Sequence, residues 1–316
     1  MGEVGEVCED ESVRMDKSMM IQIEVIKCRE DYKENMRDEL IKEFSEQLTD
    51  DKQKKVFEIL VCPIVASKDV SNIGLYSNVF LEKMIISSQE YDGNVDEDMC
   101  DFAIGFYEIL YGFEPGYILA QSKDKNKKSI KDWEYAGDTM NSYATVSRYA
   151  SKEKKKEWKE TYHCLANFWM LPGVIGRYDT KKHKCSKQQI TKTAKTVKNF
   201  NLRRRDYVDR FLNALSEANF REDFKADFGD YADKFKLNDD IVNFAKKHHI
   251  KDLINDAGEV ILFSTIDETM ENLNERMVDA VIDSMESNVC KRAVSIVTDD
   301  VICNKLFDYF NELRLI

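Results

Sequence analysis

The chain has 316 residues and a formal net charge of −12 at pH 7, with 34% charged and 43% hydrophobic residues. Seventeen Phe and fourteen Tyr exclude an intrinsically disordered composition. The 12 Gly and 3 Pro are too few for the turns of a hairpin-rich all-β fold. We therefore predict a mainly α fold, a multi-helix, bundle-like globular architecture with a few short strands.

The N-terminal third predicts an acidic tail followed by a helical region, residues 17–120. Residues 1–16 hold six acidic residues against one Arg, which is typical of a solvated, flexible tail. Apolar and polar residues alternate over residues 21–25, as in a short strand. Apolar residues spaced four apart predict a helix over residues 29–48, and similar spacing predicts another over residues 95–113.

A polar stretch marks the predicted internal boundary of the chain. Residues 121–130 are expected to form an exposed loop or linker. Residues 131–264 follow as a basic central module, and residues 265–316 as amphipathic C-terminal helices that begin at a capping box of Thr265 and Glu268. The apolar stripe of these helices is typical of core packing, with a partner-binding or oligomerising face as the alternative.

Cysteine usage and hydropathy bear on the location of the protein. The eight cysteines are scattered without a Cys-x-x-Cys pair, and the start of the chain lacks the pattern of a secretory leader. We therefore expect reduced thiols and a cytoplasmic protein. No apolar run approaches the roughly 20 residues that span a bilayer, so no membrane association is predicted.

Positive charge is concentrated in the middle of the chain. Residues 151–210 hold 17 Lys or Arg against 6 Asp or Glu, so this segment carries +11 within a chain of net −12. Trp158, Tyr162 and Trp169 lie between the basic groups, an arrangement that suits phosphate contact and base stacking. Three interpretations stay open: a face that is solvated or docks against the acidic remainder of the chain, contact with nucleic acid or another phosphate ligand, and contact with an acidic protein partner.

Three polar motifs lie in and around this basic segment: D-T-M-N-S from Asp138, N-F-W-M-L-P from Asn167, and F-N-L-R from Phe200, followed by Asp206-Tyr207. The candidate ligand-binding residues are Asp138, Asn141, His163, Asn167, Asn201, Arg203 and Asp206.

Each candidate side chain also has a structural interpretation. Asp138 is expected to cap a helix that contains Met140. The Asn side chains suit either a base edge or substrate carbonyl, or a buried turn. Arg203 suits either an ion pair with Asp206 or a phosphate contact.

These motifs resemble those of an uncharacterised bacterial protein family, a domain of unknown function marked by D-T-M-N-S, N-F-x-x-x-P and F-N-x-x-R followed by D-Y. The resemblance covers residues 137–212 in the same order. The family has no established activity, so the resemblance implies no catalytic residue and no cofactor. Ala166 and Arg204 stand where the family has Gly, and each removes a point of close backbone approach to a ligand.

The four histidines of the chain are candidate sites of chemistry. His163-Cys164 and His183-x-Cys185 lack the spacing of zinc sites, so no metal is predicted. His248-His249 lies near a predicted helix end, where cationic side chains complement the carbonyl dipoles. The common nucleotide-binding loops and hydrolase motifs are absent from the sequence.

The leading functional interpretation is a binding or regulatory module that engages nucleic acid, a nucleotide or an acidic partner through residues 151–210. The first alternative is a nuclease-like, phosphate-processing enzyme with a degenerate site, because the segment around His163 and Asn167 loosely resembles the end of HNH nuclease modules. The D-T-M-N-S segment, however, lacks the histidine that such a module needs as general base. The second alternative is a structural protein that oligomerises through residues 265–316.

Overall fold

Helices dominate the computed structural model, which describes residues 22–27, 36–66, 82–87, 97–123, 134–141, 150–172, 207–237, 240–264 and 275–316. Eleven α-helices lie within these ranges: α1 (Met36–Glu46), α2 (Asp51–Val61), α3 (Asp101–Tyr111), α4 (Tyr117–Lys123), α5 (Lys152–Thr161), α6 (Val208–Ser216), α7 (Ala218–Asp227), α8 (Gly229–Lys234), α9 (Ile241–Lys247), α10 (Glu275–Val297) and α11 (Asp300–Glu312). The predicted mainly α fold is confirmed.

Strands in the described ranges form two small sheets. In the first, β1 (Gln22–Lys27) pairs antiparallel with β3 (Glu82–Ser87), which pairs parallel with β2 (Ile64–Ala66). In the second, β4 (Tyr135–Thr139) pairs antiparallel with β5 (Phe168–Pro172). The strand predicted from alternating residues near the N-terminus is confirmed as β1.

Two predicted helices are present with shorter bounds. The helix predicted over residues 29–48 is described from Met36 as α1, and residues 29–35 lie outside the description. The segment predicted over residues 95–113 contains a 3-10 turn, Glu97–Met99, and then α3. Gly112 ends α3 with a left-handed φ of 65°, a conformation that favours glycine after a helix. The predicted capping box at Thr265 falls outside the described residues.

The prediction that an exposed loop begins at Gln121 is wrong for its first three residues. Helix α4 continues to Lys123, and the Gln121 side chain is buried. Its Oε1 accepts a hydrogen bond from the backbone N–H of Glu134 at 2.8 Å. This hydrogen bond from the residue before β4 satisfies the amide oxygen, so the polar side chain of Gln121 can be buried.

One core draws on residues from Leu48 in the N-terminal region to Phe310 in α11. A second cluster packs Trp158 of α5 against Val278, Ile282 and Met285 of α10. The C-terminal helices therefore supply core residues, which agrees with the preferred interpretation of their apolar stripe. Met277 departs from that pattern, since its side chain is 43% exposed.

Candidate functional site

Asn141 and Asn167, from the first two motifs, meet in the protein interior. Asn141 follows β4, and Asn167 ends the 3-10 turn Leu165–Asn167 before β5, so the pairing of these strands brings them together. Asn167 Oδ1 accepts from the Asn141 backbone N–H and Nδ2, both at 3.2 Å. Asn167 Nδ2 donates to the carbonyl oxygens of Asn141 and Tyr162 at 3.0 and 2.7 Å. Both side chains are fully buried, and these bonds satisfy the Asn167 amide. Asn167 therefore has a structural role.

Arg292 of α10 supports the same turn from a distant part of the chain. Its Nη1 donates to the carbonyl oxygens of Ala166 and Phe168 at 2.8 and 2.7 Å. Its Nε donates to the carbonyl oxygen of His248 at 2.8 Å. Burial lowers the pKa of this guanidinium. Within the described ranges, carbonyl dipoles rather than a carboxylate surround this buried cation.

His248 is buried and uncharged, so its predicted role as a cationic helix cap is wrong. It follows α9 directly, where the helix was expected to end. The Phe235 ring stacks on the imidazole at a centroid distance of 4.9 Å, and the hydroxyls of Tyr111 and Tyr231 lie 2.9 and 3.3 Å from Nδ1 and Nε2. Burial, with a smaller contribution from Arg292, lowers the pKa of His248 well below its ordinary value. The imidazole is therefore a neutral member of the aromatic core.

Asp138 does not cap a helix, contrary to the prediction, because it lies in β4 opposite Trp169. Its carboxylate accepts from the backbone N–H of Thr139 at 2.9 Å. The preceding Gly137 packs so closely that a side chain there would collide with the backbone oxygen of Asp98. Tertiary packing of this strand, which a local motif does not reveal, decides the conformation.

His163 contributes to the fold through its backbone and ring. Its carbonyl oxygen accepts from the Ile64 backbone N–H at 2.7 Å, and its ring centroid lies 3.8 Å from that of Tyr162. The other candidate residues, Asn201, Arg203 and Asp206, fall outside the described residues. The structure thus brings Asn141 and Asn167 into contact. That the other candidate residues join them in one site stays a prediction.

Lys154, in the first basic group of the central segment, docks against carboxylates of α10. Lys154 of α5 lies 2.5 Å from Asp283 and 3.8 Å from Glu286 of α10, and 2.8 Å from Glu157. Burial alone would lower the pKa of Lys154, but hydrogen bonds to Asp283 and Glu157 outweigh burial and raise it. The interpretation that basic residues dock against the acidic remainder of the chain therefore applies to Lys154.

Arg210, at the end of the basic segment, is also held inside the protein. Its Nε and Nη2 donate to the carbonyl oxygen of Ser264 at 2.8 and 2.6 Å. The buried Asp209 carboxylate accepts from the backbone N–H groups of Phe263 and Ser264 at 2.9 and 2.8 Å. Two neighbouring charges thus fix the segment that leads out of the central module.

A cleft of about 530 Å³ lies at a meeting point of helix ends, beyond residues 151–210. Its described lining residues are Leu110, Lys236, Asn243, Lys246, Lys247, His249, Asp299 and Ile302. The lysines follow α8 or end α9, and His249 follows α9. The others come from α3, from the first turn of α9 and from the start of α11. Its volume falls within the range of about 300–1,000 Å³ that small-molecule sites occupy.

Lys236 and His249 line this cleft from left-handed backbone positions, with φ of 61° and 57°. Each lies one residue after the capping residue of its helix. The residue that follows donates a backbone hydrogen bond into the helix: Leu237 N–H to the Ala232 carbonyl oxygen at 2.8 Å, and Ile250 N–H to the Ala245 carbonyl oxygen at 2.9 Å. Glycine is favoured at this position because a Cβ destabilises the left-handed conformation. Both helix ends therefore carry a charged or titratable side chain where glycine would be more stable.

Lys247 lies in a positive environment within the cleft. Burial lowers its pKa, and the charges of Lys234 and Lys236 lower it further, while Asp299 opposes them. Lys247 Nζ donates to the Tyr111 carbonyl oxygen at 3.3 Å, so part of its role is to stabilise the end of α3. An anion in the cleft would reduce the repulsion among these ammonium groups.

His249 connects the cleft to the motif residues. Besides the cleft, it lines a narrow crevice together with Asn141 and Arg292. Its Nδ1 lies 3.3 Å from Ser295 Oγ of α10. Burial, followed by the charge of Arg292, lowers the pKa of His249 to about 4, so the ring is neutral at pH 7.

This cleft was not predicted from the sequence, because the prediction rested on the net charge of one continuous segment. The available signal was the lysine pair Lys246-Lys247 beside His248-His249, ten residues after Lys236. What the sequence did not indicate was that the ends of α3, α8, α9 and α11 meet.

No protein-family model, curated protein or solved structure matches the chain. No group of three or more His, Cys, Asp or Glu side chains in the described part of the chain is arranged to hold a metal ion. Among the helices described, none combines the length and apolar character needed to cross a bilayer.

Proposed function

We propose that this protein is a binding module for phosphate-bearing ligands, and that its central module holds them in the cleft lined by Lys236, Lys246 and Lys247. The proposal keeps the predicted ligand class and moves the site away from residues 151–210. Lys154 and Arg210 of that segment are engaged within the protein, whereas the cleft presents three ammonium groups around an accessible volume.

The observation that carries the proposal is the left-handed backbone at Lys236 and His249. A side chain at such a position costs roughly 1 kcal/mol relative to glycine. Strained backbone positions are often found at binding sites, where a particular side chain is needed. Two such positions at one cleft favour a role in binding over a role in stability.

Equilibrium binding of fluorescently labelled single-stranded DNA, RNA and ATP, each at two salt concentrations, tests the proposal. We expect binding that weakens as salt rises, because contact with phosphate releases counterions. Replacing both exposed lysines, Lys236→Gln with Lys246→Gln, is expected to weaken the affinity at least tenfold by removing two charge-assisted contacts.

The matched controls are Arg314→Gly and Lys55→Gln. Arg314 has the same left-handed backbone, with φ of 60°, but does not line the cleft, and Lys55 is an exposed lysine of α2. Both controls are expected to bind normally. Lack of binding by all three probes at low salt, or equal losses in the controls, would contradict the proposal.

Nuclease-like cleavage, an acidic protein partner, oligomerisation through residues 265–316 and the resemblance to a bacterial family all stay predictions. Cleavage is tested by incubating a bound oligonucleotide with Mg²⁺, Mn²⁺ or Zn²⁺. Oligomerisation needs light scattering on the full chain, because α10 and α11 supply core residues such as Val289 and Leu306, and a truncated chain would lose them.

A further inference from the structure

We infer that the cleft takes a compact ligand with two or more linked phosphate groups, and that it holds this ligand by the phosphate chain rather than by a nucleobase. The inference rests on the proposed function and specifies its ligand class. Inorganic diphosphate, inorganic triphosphate and a nucleoside triphosphate share this chemistry.

The charge of the cleft favours a polyanion over a monoanion. Its lining includes three lysines and one carboxylate, that of Asp299. His249 is neutral at pH 7, so the lining carries a formal charge of about +2 by the ordinary protonation states of these groups. A ligand with one negative charge would leave repulsion between ammonium groups uncompensated, whereas a linked phosphate chain neutralises several at once.

The side-chain types in the cleft indicate how a ligand would be recognised. None of the eight described lining residues is Phe, Tyr, Trp or Arg, and the one aromatic ring, that of His249, is partly buried with its Nδ1 3.3 Å from Ser295 Oγ. Bases in single-stranded nucleic acid are usually bound by stacking on aromatic rings or guanidinium planes. Lysine instead binds phosphate as a point charge with three donors. The lining therefore suits phosphate oxygens and offers little to a base.

The bonding of the lysines leaves donors for such a ligand. Among the residues that the structure describes, Lys247 Nζ donates one hydrogen bond, to the Tyr111 carbonyl oxygen, and an ammonium group has three donors. Lys236 and Lys246 are exposed and form no ion pair with any residue that the structure describes. Asn243 adds an uncharged amide to the lining. Several phosphate oxygens can thus be bound without breaking the contact to α3.

Isothermal titration calorimetry of the full chain tests the inference with orthophosphate, pyrophosphate, inorganic triphosphate, ATP, adenosine and a phosphate-matched oligodeoxynucleotide. We expect affinity to rise about tenfold with each added phosphate, since each adds one charge-assisted contact. Triphosphate and ATP should bind within about threefold of each other, and adenosine should not bind. Lys236→Gly and Lys246→Gln should each weaken triphosphate binding about tenfold, with Arg314→Gly unchanged.

The outcomes separate this inference from the function on which it rests. If no phosphate compound or oligonucleotide binds, both fail. If orthophosphate binds as tightly as triphosphate, or the oligonucleotide binds more tightly than triphosphate, the inference fails and phosphate binding stands. If triphosphate binds equally well to the Lys236 and Lys246 variants and the wild type, this cleft is not its site.

Discussion

Lys236 and His249 occupy equivalent positions at two successive helix ends, one residue past the last capping residue of α8 and α9, and both side chains line one cleft. Arg314 occupies the same position after α11. By contrast, the left-handed residue after α3 is a glycine, Gly112, which is itself the capping residue. This contrast allows the energetic effect of the backbone to be separated from the role of the side chain.

Glycine at Lys236 is expected to raise the free energy of unfolding by about 0.5–1 kcal/mol, because it relieves the left-handed strain of a side chain. Arg314→Gly should have a similar effect. Lys55→Gly, inside α2, should instead lower stability by about 1 kcal/mol. Urea unfolding of the three variants measures these differences. A loss of stability in Lys236→Gly would show that the lysine side chain supports the fold.

Asn167→Ala is expected to lower the free energy of unfolding by about 2–4 kcal/mol. The change removes four hydrogen bonds and leaves the buried polar groups of Asn141 and the Tyr162 carbonyl oxygen without their partner. Chemical denaturation is the measurement, with ATP binding recorded on the same samples. Unchanged stability together with lost binding would favour a ligand-binding role for Asn167 over the scaffold role.

Stability should fall as pH decreases from about 6.5 towards 4. His248 and His249 are held neutral in the folded protein, with pKa values below the ordinary 6.5, to about 4 for His249. The unfolded chain binds protons first, so each histidine lowers the free energy of unfolding by up to about 1.4 kcal/mol per pH unit in this window.

Urea unfolding at pH 7, 6 and 5 measures that slope, and His249→Asn provides its control. Asn tolerates the left-handed backbone and does not titrate, so the variant should lose the His249 contribution. A slope identical to that of the wild type would mean that His249 does not contribute to the acid sensitivity.

Lys154→Met is expected to lower the free energy of unfolding by about 2–3 kcal/mol, because the fully buried Glu286 would lose its nearby cation. Lys152→Met, two residues earlier at an exposed position, should change stability by less than about 0.5 kcal/mol. Thermal unfolding of both variants distinguishes them. Equal effects would indicate that Lys154 contributes no more than a surface charge.

Local patterns predicted individual elements better than their arrangement. Apolar spacing located α1, which packs Ile41 and Phe44 against the core, and α3, which buries most of its residues. Asp138 was misplaced because strand pairing with residues 168–172 overrides its capping preference. The charge of His248 depends on rings from α3 and the end of α8. The contact between Tyr111 and His248 joins residues 137 positions apart, so it leaves no local pattern in the sequence.

The Arg292 contacts also constrain the order in which the protein can fold during synthesis. This side chain binds the carbonyl oxygens of Ala166 and Phe168, which precede it by 126 and 124 positions. Until α10 has left the ribosome, the turn around Asn167 lacks its donor, and the core lacks the apolar residues of the last two helices. Completion of this core therefore waits for the synthesis of α10 and α11, and nascent chains ending before α10 should be substrates for chaperones.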